Sequence, residues 1–124
     1  FCSHGVFDVV VTGGTTRGAN GSLVGQAAIA SIMGFRFDYA LIGLGGFDDD
    51  GAPMDFDLEK IAVRQAAMGR ARQSIALADR TKFEQTGTAR VAPPEALSLV
   101  VVDAEPSPRL RASWERSGTR WLVA

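Results

Sequence analysis

Asp79 and Lys82 stand three residues apart, directly behind the apolar run of residues 74–78. A carboxylate accepts hydrogen bonds from hydroxyls, and an ammonium supplies the point charge that a phosphate needs. Similar punctuation recurs along the chain. Thr12-Gly13-Gly14 closes the run 6–12, Gly43-Leu44-Gly45-Gly46-Phe47-Asp48 closes 38–43, and Asp103 follows 97–102. Glycines admit a ligand close to the backbone and leave N–H groups for anions. Together these residues suit a small, hydroxylated, anionic ligand such as a sugar or polyol phosphate. The competing explanation is a set of plain turns, because Gly and Asp are common after any strand. One site alone favours the turn; the recurrence at successive strand ends, with the lysine, puts binding on equal terms.

Other chemistry is poorly served. Cys2 and His4 are the sole cysteine and histidine, so neither a zinc site, a catalytic triad nor an internal disulfide is expected, and a reducing, cytoplasmic setting is. The segment from Gly13 to Asn20 lacks the Gly-Lys-Ser/Thr ending of a phosphate loop. Gly43-x-Gly45 is followed by Asp48 where the dinucleotide fingerprint needs its third glycine. The acidic turn 46–51 fails as a calcium loop, since its first and last ligand positions are Gly46 and Asp57. No catalytic residue, metal site or cofactor is expected. Thirteen basic against fourteen acidic residues give a formal charge of −1, a poor footprint for nucleic acid. No apolar run is long enough to span a membrane.

The elements that must position these residues follow from the apolar pattern. Residues 6–12, 38–43, 74–78, 97–102 and 120–124 form runs rich in β-branched residues and predict five strands, with a short edge strand at 90–93. Near-continuous apolar strands imply a sheet covered on both faces. A helix is predicted over 57–72, with Asp57 as its cap, a buried stripe of Leu58, Ile61, Ala62, Ala66 and Gly69, and Arg70 and Arg72 in its last turn. Arg64 sits mid-helix near Glu59 and Lys60, where a surface ion pair is the default. A second helix, apolar nearly all round and hence buried, is predicted over 23–33. A third has Ser107 as cap, Pro108 in the first turn, Leu110 and Trp114 one turn apart, and Gly118 as its stop. Arg17 lies in the polar loop before Ser22, where it is either solvated or helps an anion dock at a helix start. Strand–helix alternation of this kind means one α/β domain with a mostly parallel, Rossmann-like sheet and flanking helices.

Five segments in order, residues 11–17 (VTGGTTR), 22–25 (SLVG), 42–48 (IGLGGFD), 56–59 (FDLE) and 77–83 (LADRTKF), closely resemble the effector-sensing domain of DeoR-type bacterial transcription repressors. The resemblance covers nearly the whole chain from Phe7, and residues 54–60 most resemble the glycerol-3-phosphate branch. It implies a sheet similar to ribose-5-phosphate isomerase and the coenzyme A transferases, and a phosphorylated sugar or polyol as effector. It carries Gly13, Gly14 and Arg17 onto the first family loop and Gly45, Gly46 and Asp48 onto the second. Asp57 falls on the acidic helix start, Arg64 on a basic pair, and Asp79 with Lys82 on positions implicated in effector response. These ten residues are the expected effector contacts. The chain departs from the family pattern at Lys60, Gln65 and Glu84.

The resemblance also implies parts that this sequence lacks: an N-terminal helix-turn-helix, through which alone DNA would be bound, and an opening strand and helix with an Asp-x-Gly-Thr-Thr loop. Phe1 in place of Met fits a piece of a longer protein. A homo-oligomer is expected, as for repressors that read paired half-sites. The alternative is a sugar-phosphate isomerase on the same scaffold. Its base would have to be Asp48 or Glu59, and Lys60 beside Glu59 would keep that carboxylate ionised.

Overall fold

The computed structural model describes residues 5–124; Cys2 and His4 lie outside them. The chain opens with an antiparallel hairpin of β1 (Thr15–Arg17) and β2 (Ser22–Val24), followed by helix α1 (Gln26–Met33). Next come β3 (Phe37–Ile42), the short β4 (Gly46–Phe47) and β5 (Pro53–Asp55), and helix α2 (Leu58–Arg70). The second half holds β6 (Ala71–Ala78), β7 (Ala89–Arg90), β8 (Leu99–Val102), helix α3 (Pro108–Ser117) and β9 (Arg120–Val123). β3, β6, β8 and β9 form one four-stranded sheet in that order, parallel throughout. β4, β5 and β7 form a small antiparallel sheet beside it. The domain is therefore α/β with a Rossmann-like parallel sheet, as its alternating pattern predicts.

The sheet is not covered on both faces. Ala40 and Ile42, Ser74 and Ala76, and Val100 and Val102 point to one side and are buried. There Ile42, Ala76, Val100 and Val102 meet Ile61 of α2 and Leu110 and Trp114 of α3 in a single core. The alternate residues Tyr39, Leu41, Leu77 and Leu122 are exposed on the other side, Leu41 by 64%. The reason is topological. The strand order advances one neighbour at a time, and same-handed crossovers then place α2 and α3 on the same side.

Five further expectations are corrected. No strand covers residues 6–12; Val6, Val10 and Val11 are largely exposed instead. A strand exists only through its pairing, and β-propensity alone does not create one. Helix α1 starts at Gln26, because Ser22–Val24 pairs with Thr15–Arg17 and Gly25, at φ 100°, turns the chain between them. α1 is also not buried all round: Ala28 and Ile32 face inward while Met33 is exposed. In α2 only Ile61 of the expected stripe is fully buried, and Leu58 is 65% exposed. Arg72 belongs to β6, since helix gives way to strand with no loop between them.

The third helix matches its sequence signals. The Ser107 side chain accepts a hydrogen bond from Leu110 N–H, Pro108 opens the helix, and Gly118 ends it at φ 76°. Trp114 is fully buried; its Nε1–H donates to the Gly51 carbonyl at 3.1 Å and its ring meets Phe47 edge-on at 5.2 Å. That contact ties α3 to the turn behind β4.

Candidate functional site at the carboxyl ends of the strands

In an open parallel sheet the carboxyl ends of the strands form the natural ligand rim. Here β6 ends in Asp79 and turns at once into a short 3-10 segment, Arg80–Lys82. Asp79 caps that turn: its carboxylate accepts from Thr81 N–H at 2.8 Å and from the Thr81 hydroxyl. Those bonds hold the Asp79 carboxyl below the usual carboxylate range; slight burial opposes them, and Lys82 and Arg80 add to the lowering. Neighbouring β8 ends in Asp103, whose Oδ1 accepts from Arg80 N–H at 2.7 Å, with the Arg80 guanidinium 3.9 Å from Oδ2. The turn capped by Asp79 is thus tied to the neighbouring strand tip through Arg80 and Asp103. Asp79 and Asp103, with Leu77, Val101 and Ala124, line a cleft of about 350 Å³ at the tips of β6, β8 and β9. Lys82 is half-buried at the end of the turn; it makes no ion pair, but its charge reaches Asp79.

The glycine loop behind β3 has a different role. An added Cβ on Gly46 would lie 2.3 Å from the Gln85 carbonyl oxygen, and one on Gly45 would lie 2.8 Å from the Phe56 ring. Phe47 N–H donates to Gln85 O at 2.7 Å, and Gln85 N–H to Lys82 O at 3.2 Å. The chain following Lys82 therefore packs backbone to backbone on β4. Gly45 and Gly46 are buried by that packing and do not line the cleft. Asp48 lies just beyond, where Arg90 of β7 bridges it at 3.1 Å and Asp50 at 3.0 Å. Arg64 pairs with Asp55 of β5, not with Glu59.

Arg17, on the β1–β2 hairpin, pairs with Asp57 and stands 3.7 Å from Glu59. Asp57 is the cap of α2, accepting from Glu59 N–H at 2.9 Å, and Arg17 holds its carboxyl below the ordinary range. Gly14, at φ 121°, must be glycine: a Cβ there would lie 2.7 Å from the Val24 carbonyl oxygen. Gly13 lies alongside α1, its N–H 3.3 Å from Ser31 Oγ, and not at the helix start. The ten candidate residues thus fall into three groups: Asp79 and Lys82 on the rim, Gly45, Gly46, Asp48 and Arg64 around the small sheet, and Gly13, Gly14, Arg17 and Asp57 at the hairpin and helix start. The sequence did not single out Arg80, and Asp103, read there as a strand-end acid, is not among the ten expected contacts. Their adjacency comes from the pairing of Ala78 with Val102, which no local spacing records.

The family model of the DeoR C-terminal sensor domain matches residues 2–104. A glycerol-3-phosphate regulon repressor of Haemophilus influenzae is 33% identical over 85 residues, 68% of this chain and 33% of that protein. The transcriptional repressor CsqR of Escherichia coli is 30% identical over 111 residues, 90% of this chain and 42% of the relative. The repressor GlcR of Bacillus subtilis is 27% identical over 116 residues, 94% of this chain and 45% of the relative. The chain spans less than half the length of these curated relatives. It belongs to the DeoR C-terminal sensor domains.

Proposed function

We propose that this chain is the effector-sensing part of a cytoplasmic transcriptional repressor. It binds a phosphorylated sugar or polyol at the rim of β6 and β8 and thereby alters DNA binding by a helix-turn-helix elsewhere in the protein, in a symmetric homo-oligomer. The observation that carries this reading is the rim itself. Asp79 and Asp103 line the cleft and offer acceptors to ligand hydroxyls from adjacent strand tips, while Lys82, outside the cleft lining, has no ion pair and its charge reaches Asp79. A cation not already neutralised by a protein carboxylate is what a phosphate ester requires. Glycerol-3-phosphate regulon repressors, among the relatives, carry a polyol phosphate in their name.

Binding without chemistry is the better reading of this site. The two candidate bases stand away from this cleft: Asp48 is paired with Arg90, and Glu59 lies 3.7 Å from Arg17. Incubation with ribose 5-phosphate in deuterated water tests the alternative directly: deuterium at the substrate carbon would establish an isomerase. The sensor reading is tested by thermal melts against a panel of sugar and polyol phosphates. A ligand that binds only the folded state raises the melting temperature. At least one phosphate ester should do so while its parent polyol does not; no shift with any of them would refute the proposal.

A further inference from the structure

The opposite rim of the sheet carries a concentration of uncompensated positive charge. The register pairs Phe37 with Ala71, so the amino ends of β3 and β6 lie side by side, where α2 runs directly into β6. A cleft of about 510 Å³ opens there, lined by Arg36, Arg70 and Arg72 together with Phe37, Asp38 and Gly69. Elsewhere Arg17, Arg64, Arg80, Arg90 and Arg109 each stand beside an aspartate, while Arg111, Arg116 and Arg120 have no acidic partner among the described residues but do not line one cleft together. Arg36 and Arg72 have no ion pair or side-chain hydrogen bond, and Asp38, the single acid in the cleft wall, pairs with neither. Arg70 is held in place by its Nε–H, which donates to the Phe35 carbonyl at 2.8 Å, and has no acidic partner.

Complementing the negative end of α2 accounts for Arg70, in the last helical turn. It does not account for Arg36, which arrives from the segment before β3, or for Arg72, which lies beyond the helix end. Three guanidiniums in one cleft repel one another, and an anion placed among them removes that cost. Their forked donors match phosphate and carboxylate oxygens. The volume is that of a small-molecule site. We propose that Arg36, Arg70 and Arg72 form a second anion site, remote from the strand-tip rim, for a compact organic anion bearing at least two phosphate or carboxylate groups.

The test is calorimetric titration of this chain with pyrophosphate and, separately, citrate, at low and moderate salt. Arg36→Gln and Arg36→Gln/Arg72→Gln change exposed side chains, so circular dichroism should report an unaltered fold. Binding should weaken about tenfold with each arginine removed, the effect of one charge-assisted hydrogen bond, and should fall as salt rises. Arg111→Gln, which removes an exposed arginine lining neither cleft, should leave it unchanged. Binding of pyrophosphate alone assigns phosphate as the recognised group, and binding of citrate alone assigns carboxylate. Absence of binding by both, or binding that survives in the double variant, would overturn the proposal.

Discussion

Gly46→Ala tests whether the loop behind β3 and the chain behind β6 are held together by close backbone approach. The added methyl would lie 2.3 Å from the Gln85 carbonyl oxygen and 2.5 Å from both the Gln85 carbonyl carbon and the Thr86 oxygen. Ordinary contact lies near 3.4 Å or beyond. Every close neighbour is backbone, so no flexible side chain can move aside. One loop must withdraw by about 1 Å, loosening the 2.7 Å bond from the N–H of fully buried Phe47 to the carbonyl of exposed Gln85. Overpacking together with a weakened hydrogen bond costs about 2–3 kcal/mol. In a domain of this size that lowers the melting temperature by about 10 °C. Gly43→Ala is the matched control: a Cβ there has nothing within 4 Å, and the backbone is not in the left-handed region. It should change stability by no more than about 0.5 kcal/mol. Urea and thermal melts followed by circular dichroism measure both. A Gly46→Ala protein as stable as the Gly43→Ala protein would refute the packing argument.

Trp114→Phe should cost about 2–4 kcal/mol in urea unfolding, because it removes a fully buried ring segment and leaves the Gly51 carbonyl without its indole donor. Arg64→Ala leaves the largely buried Asp55 without its cation and should cost about 1–3 kcal/mol; equal stability of Arg64→Ala and wild type would show that solvent replaces the pair. Acid should destabilise the fold. Asp57 and Asp79 have folded pKa values below the unfolded 3.8, so the stability they contribute is complete above that value and is lost as pH falls through the lower folded values. Melting temperature should therefore drop steeply below about pH 4, and less steeply in Asp57→Asn; an identical slope in that variant would remove Asp57 from the account.

What the sequence made legible depended on whether the signal was local. α3 carries its start and stop within the chain segment itself, Ser107 and Pro108 at one end and Gly118 at the other, and was placed almost to the residue. β3, β6, β8 and β9 announced themselves as apolar runs bounded by turn residues. Residues 6–12 carry the same signal, but a strand also needs a neighbour, and that is a tertiary fact. The hairpin of Thr15–Arg17 with Ser22–Val24 went unseen because Leu23 and Val24 continue an apolar pattern into α1, and period alone cannot assign so short a stretch. The small sheet was recognised only near Arg90. Its strands are two or three residues long and are held by backbone contact at Gly46 and Gly87.

The candidate site divides in the same way. Asp79 and Lys82 are three apart and stay together, since one turn contains them. Arg17 and Asp57 are forty residues apart, and their pairing follows from the fold alone. Gly45 and Gly46 read as openings for a ligand because a glycine looks the same whether ligand or protein backbone fills the space beside it. The coordinates assign that space to Phe56 and Gln85.

The central claim is that the rim holding Asp79, Asp103 and Lys82 receives a phosphate ester. Its most direct measurement is calorimetric titration of glycerol 3-phosphate into the wild-type chain and into Lys82→Ala, with glycerol as the uncharged control. The account predicts heat from the ester and none from glycerol, and an affinity loss of about 1.5–3 kcal/mol in the variant, the range for one charge-assisted hydrogen bond. Equal affinity of wild type and Lys82→Ala for the ester would contradict it.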